Sequence, residues 1–124
     1  MMKISIKRAY DEATPDDGYR VLVDRVWPRG RSRASLALAR WAKDLAPSTK
    51  LRQWFGHDPK RWQAFQDRYR DELASPAQIA RMRELLGAAG KGKGPLTLVY
   101  GAKDEEHNQA AVLRDVLSAM GRHR

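Results

Sequence analysis

The chain has 124 residues, no cysteine, and 24 Lys and Arg against 15 Asp and Glu, a formal net charge of +9. That length builds one core rather than two, so a single domain over 1–124 is expected, and 42% hydrophobic residues suit folding rather than disorder. The missing thiol excludes cysteine nucleophiles, disulfides and thiolate metal sites. No apolar run approaches the ~18 residues of a membrane span, so no membrane partner is expected.

Lys3-Ile4-Ser5-Ile6-Lys7-Arg8 alternates polar and apolar residues, the period of a half-buried strand. Its approach, Met1-Met2-Lys3, lacks the apolar stretch of a signal peptide, and with the absent cysteine this predicts a cytoplasmic protein. Asp11 to Gly18 is an acidic, turn-rich loop. Tyr19 to Asp24 reads as a second strand, whose unbroken Val21-Leu22-Val23 needs cover on both faces. Arg33 to Ala46 reads two ways: alanines and leucines favour helix early on, while Arg40-Trp41-Ala42-Lys43 suits extended chain.

Asp58-Pro59 is a helix start, with a cap residue followed by proline. Trp62, Phe65, Tyr69 and Leu73 then share one face, opposite Lys60, Gln63, Asp67 and Arg70. Ser75-Pro76-Ala77-Gln78 is a second start in the capping-box pattern. Ile79, Met82, Leu85 and Leu86 form the stripe of that helix, with Gly87 its expected end. Gly90 to Pro95 is a flexible connection. It precedes a strand, Leu96 to Tyr100, whereas a Walker-type phosphate loop follows one. The last helix is expected after Asp104 as its cap, with Glu105 and Glu106 in the first turn. Val112, Leu113, Val116, Leu117 and Met120 are its buried stripe, and Arg122-His123-Arg124 a solvated tail.

Strands separated by helices predict an α/β domain with a small, mainly parallel sheet and helices on both faces. Ligands of such folds gather where strands end at the carboxyl edge. Two segments leave strands there, Arg25 to Arg33 and Gly101 to Asn108. Parallel neighbouring strands would open both onto one crevice.

Arg25, Arg29, Arg31 and Arg33 fall within nine positions, around Trp27 and between Pro28 and Gly30. Guanidiniums so close repel one another unless an anion lies among them: a phosphate, a carboxylate or the protein's own Asp16, Asp17 or Glu105. Trp27 is either the wall of that site or packing beneath the loop. In the second segment Lys103 would strengthen an anion site at a helix start, Asn108 stands beside it, and His107 is a candidate acid or base. His57, between Trp54-Phe55-Gly56 and Asp58-Pro59, is a further candidate ligand contact. His57 and His107 form no His-x-x-x-His pair, and no Gly-x-Ser-x-Gly pattern occurs. No metal and no cofactor is expected.

These motifs together resemble the YeaO-like branch of the bacterial family called domain of unknown function 488. The resemblance runs from about Lys7 to Leu117. It rests on the run from Asp17 to Gly30, on Trp41-x-Lys43-x-Leu45-Ala46-Pro47-Ser48, and on Leu51-Arg52-x-Trp54-Phe55-Gly56-His57-Asp58-Pro59. Phe65-x-x-Arg68-Tyr69-x-x-Glu72-Leu73 and the run from Ala102 to Asn108 complete it. The resemblance implies a compact α/β domain without an established activity. Longer relatives carry an arginine motif similar to Val23 to Arg33, and a loop with two cysteines where this chain has Tyr100 and Asn108. A thiol-dependent role is therefore not carried over, whereas an anion site among arginines needs no sulfur.

The favoured expectation is a small anionic ligand, phosphate- or carboxylate-bearing, at the sheet's carboxyl edge. Arg25, Arg29, Arg33, Lys103, Asn108 and His57 would contact it, with Trp27 as a wall and His107 as acid or base. Whether a reaction follows, and which, the residues do not say. The rivals are a nucleic-acid-binding module using the basic face and a non-catalytic protein-interaction domain.

Overall fold

Alternation along the second strand sends Val21 and Val23 to one side and Leu22 to the other, and the fold is built on that division. The computed structural model describes residues 2–92 and 94–122. Lys93 of the flexible connection and the expected tail at His123 and Arg124 lie outside these residues. In chain order the elements are β1 (Ile4–Arg8), β2 (Tyr19–Leu22), α1 (Arg33–Leu36), β3 (Arg40–Trp41), α2 (Thr49–Phe55), α3 (Trp62–Leu73), α4 (Pro76–Gly90), β4 (Leu96–Tyr100) and α5 (Gln109–Arg122). The four strands form one sheet in the order β1-β4-β2-β3, parallel throughout.

Val21, Val23, Leu96, Leu98 and Tyr100 pack with Phe55, Phe65, Tyr69, Leu73, Leu85, Leu113 and Leu117 in the main core, under the four longer helices. Leu22 and Val99 enter a smaller cluster with Ala9 and Leu36, flanked by Trp27, Leu38 and Trp41. Cover is thus unequal: α2 to α5 lie on one face, and the short α1 with its flanking loops closes the other. Arg20, buried in β2, holds that thin layer by donating from Nε to the Leu36 carbonyl (2.9 Å). Its Nη1 meets Asp17 (2.7 Å), which Lys7 also reaches (3.1 Å). Burial alone would raise the Asp17 carboxyl, but bonds from Thr14 N–H, Lys7 and Arg20 hold it below the usual range.

Several boundaries differ from the sequence pattern. The ambiguous segment is both things in turn, a one-turn helix capped by Ser32 and then the two-residue β3. The helix Thr49–Phe55 was not expected. Its start is a Ser48 cap that accepts from Leu51 N–H (3.1 Å), without the proline at the first helical position that marks the start of α4. Ser75 does cap α4, but the Gln78 amide donates to the Asp44 carbonyl (2.7 Å) and so ties α4 to the loop before α2. Gly87 does not end α4, which runs to Gly90, because its neighbours Leu85, Leu86 and Ala89 continue the packed stripe. The last helix begins at Gln109, not after Asp104. Asn108 caps it, accepting from Ala111 N–H (3.0 Å), so Glu105 and Glu106 precede the helix.

Gly18, entering β2 at φ +66°, faces Pro95, whose carbonyl would lie 2.2 Å from any Cβ at that position. The Tyr19 N–H to Pro95 O bond (2.9 Å) fixes that approach and the register of β2 on β4. Gly18→Ala should therefore cost about 2–4 kcal/mol, combining left-handed backbone strain with a backbone clash. Urea unfolding of the variant against the parent chain measures it, and a loss under ~0.5 kcal/mol would contradict the packing described.

Candidate functional site

Because β2 and β4 are parallel neighbours, the loops that follow them emerge side by side. Asp24 joins the two. One carboxylate oxygen accepts from the Gly101 N–H (2.8 Å) and the other from the Gln109 amide at the start of α5. A side chain at position 101 would put its Cβ 2.8 Å from that same oxygen, so glycine is what admits the carboxylate. Desolvation dominates here: burial pushes the Asp24 carboxyl up to about 6, against the two hydrogen bonds and the charge of Arg52, which pull it down.

Arg25 does not pair with Asp24. Its Nε donates to the Pro47 carbonyl (3.1 Å) and its Nη2 to the Ala46 carbonyl (3.2 Å), pinning the entry to α2. Arg31 goes elsewhere, to the Ala9 carbonyl (3.0 Å) after β1. Arg29 and Arg33 are exposed; the Arg29 carbonyl accepts from Tyr10 (3.0 Å). The four arginines are thus spread along the edge rather than gathered on one point. None meets a carboxylate within ion-pair distance among the described residues. Arg25 and Arg31 donate to neutral carbonyls, so their positive charges stay uncompensated even though both side chains brace the loops.

Trp27 is built in. Its indole N–H donates to the Arg31 carbonyl (2.7 Å), and its ring meets Trp41 edge-on at 5.4 Å, beside the smaller core. Asn108 is also structural, capping α5 while its amide donates to the Asp104 carbonyl (2.9 Å). Asp104 receives the backbone N–H groups of His107 and Glu106 and the His107 Nδ1 (2.9 Å each); these bonds hold its carboxyl down to about 2. His107 is half-exposed and stands edge-on to Trp62 at 5.2 Å. His57, exposed and in left-handed backbone at φ +59°, lies 6.0 Å from Phe55, and Phe55 in turn lies 5.9 Å from Trp62. The two histidines therefore flank one aromatic group without touching a common partner. Lys103 is exposed in the loop after β4.

Four further residues shape this edge without belonging to any candidate motif. Arg52, exposed on α2, is the cation whose charge acts on Asp24. Gln109 supplies the second bond to Asp24, and Arg8 ties β1 to the same edge through the Ala102 carbonyl (3.0 Å). Glu72 receives both the N–H and the hydroxyl of Ser48 (2.8 and 2.6 Å), fixing the start of α2 and so the position of Arg52. The only advance signals were two blocks of the resemblance, one containing Arg52 and the other Glu72. Among the described residues no group of three or more His, Asp or Glu side chains is arranged to hold a metal ion.

A family model described as "Inactive DUF488-N3 subclade" matches residues 3–123. The chain belongs to the domain-of-unknown-function 488 family. Within it the YeaO-like branch is the near neighbourhood: the chain is 44% identical over 119 residues to the uncharacterised protein YeaO of Escherichia coli, covering 96% of this chain and all of that one. It is 38% identical over 116 residues to an uncharacterised protein of Mycobacterium tuberculosis, covering 94% of each. No solved structure matches it. In this DUF488 member the two positions that the resemblance matches to the relatives' cysteines are built into the fold: Tyr100 is buried in β4 and Asn108 caps α5.

The raised Asp24 carboxyl has a consequence for stability. A group whose folded value (about 6) exceeds its unfolded value near 3.8 binds extra protons when folded, so the protein loses stability as pH rises between them. Asp24→Asn removes that dependence. From pH 4 to pH 7 the parent should lose on the order of 2–3 kcal/mol relative to the variant, measured by urea unfolding at each pH. Parallel curves would show that Asp24 is not desolvated.

Proposed function

We propose that this DUF488 protein binds a small phosphate- or carboxylate-bearing ligand at the carboxyl edge of its sheet and does not turn it over. The observation that carries the reading is the electrostatic state of that edge. The Asp24 carboxylate, which feels the charge of Arg52, is itself half-neutral near pH 6, and no ion pair among the described residues takes the guanidinium of Arg52 or of the neighbouring Arg25. Exposed Lys103 and Arg29 add charge from the loops on either side. An anion here would meet one donor, Arg25, already positioned by bonds to backbone carbonyls, which lowers the ordering cost of binding. Arg25 retains donors on its outer nitrogen, and Arg52 is free to swing onto a ligand.

Binding without turnover is favoured by two things. The matching family model is described as an inactive subclade, and the loop positions that carry thiols in longer relatives are spent on the core and a helix cap. His107 is oriented by Asp104, the arrangement an acid or base would use, but Trp62 and the Asp104 turn account for it structurally as well.

The nucleic-acid reading is weaker because the indoles are occupied. Trp27 and Trp41 pack on each other, and Arg68 (4.0 Å) and Arg61 (5.1 Å) stack on Trp54. Each of these three indoles already has a ring or guanidinium partner, which a stacking base would have to displace or share.

A thermal-shift series with pyrophosphate, sugar phosphates and small dicarboxylates tests the proposal. A true ligand at a hundredfold excess over its dissociation constant stabilises by ~2.7 kcal/mol, and the shift should persist at moderate salt. Arg52→Ala should weaken binding roughly tenfold to a hundredfold. Relative to Asp24→Asn, the parent's affinity should rise as pH falls from 7 to 5, because protonating Asp24 removes a negative charge beside the anion; taking the variant as reference cancels the ligand's own titration. A shift produced only by oligonucleotides, and lost with salt, would transfer the case to the nucleic-acid reading.

A further inference from the structure

Away from that edge, a groove of about 1210 Å³ runs between α4 and α5, beside the start of β1. Its floor is apolar: Ile4, Leu86, Val116 and Met120 pack on the main core but remain partly exposed. Open space lies over Gly87 and Gly90, so a partner backbone could come close to α4 without meeting a side chain. Arg70 of α3 and Arg83 of α4 form the rim. Both are exposed, and among the described residues neither has a hydrogen-bond or ion-pair partner and no acidic side chain lines the groove. The opening exceeds the ~300–1,000 Å³ typical of small-molecule sites, and an apolar channel between two helices matches the footprint of a third.

We propose that this groove docks an acidic amphipathic helix of a partner protein. Leucine-type residues at i, i+3, i+4 and i+7 would fill the apolar floor, and flanking glutamates would pair with Arg70 and Arg83. Charge selects this occupant over a second copy of the chain, since two molecules of net charge +9 would oppose the same two arginines to a basic surface.

The test uses the full chain and two synthetic helical peptides with identical leucine spacing, one flanked by glutamate and the other by lysine. The acidic peptide should bind and shift the methyl resonances of Ile4, Leu86 and Val116, while the lysine peptide should not. Arg70→Glu/Arg83→Glu, two surface changes whose folding is checked by the thermal melt, should weaken the acidic peptide roughly fivefold or more and admit the lysine peptide. The proposal fails if the acidic peptide does not bind at millimolar concentration, or if both peptides bind parent and variant alike. It also fails if sedimentation shows a dimer that protects those methyls, or if phosphatidylserine vesicles perturb them with the same arginine dependence, which would assign the face to self-association or to lipid.

Discussion

The carboxylate of Asp24 on the backbone N–H of Gly101 is the contact on which the candidate site depends. It forms because two strands far apart in the chain lie next to each other, parallel, and end at the same height. A carboxylate in that place is poorly solvated, which is why it sits near 6 rather than near 4. The fold tolerates it through two strong donors and a nearby guanidinium. The same desolvation lessens the negative charge at the edge: the Asp24 carboxyl is partly protonated near pH 6, while the arginines keep their charge.

The arginines of the β2 loop contribute in two ways at once. Arg25 and Arg31 satisfy carbonyls of irregular segments that would otherwise be left half-buried without donors. A carbonyl accepts a hydrogen bond without cancelling charge. Bracing the loops and leaving the edge electropositive are therefore the same arrangement, and a packing explanation and an anion-binding explanation do not compete for these two side chains. They do compete for Trp27, whose single N–H is taken, and for Asn108, which is buried with both its amide groups already hydrogen-bonded.

The layering has a parallel logic. A parallel sheet needs both faces covered, yet the longer helices all serve one face. The other relies on Arg20, whose guanidinium reaches from the sheet to the Leu36 carbonyl and to Asp17, and on a Trp27–Trp41 pair over Leu22 and Val99. The β2 loop is thus part of the cover as well as part of the edge, and this dual duty accounts for its density of long, hydrogen-bonding side chains.

Hydrophobic period and local cap chemistry were enough to read β1, β2, β4, the packed faces of α3, α4 and α5, and the α/β class from the residues, because those signals are carried within a few positions of one another. The carboxyl-edge location of the arginine loop followed from the same reading. Other features depended on partners remote in sequence. The helix of residues 49–55 is stabilised by Glu72 holding Ser48, and the true start of α5 by an Asn108 cap that competes with the equally plausible Asp104. Asp24 looked like the end of a strand until Gly101 and Gln109, some eighty positions away, gave it a role. What the amino-acid order determined alone was which segments are extended or helical and that positive charge collects after β2. Which arginines are braced, which carboxylate is desolvated and which side chains share an edge were decided by strand order in the sheet, since burial and charge–charge distance exist only once the chain has closed on itself.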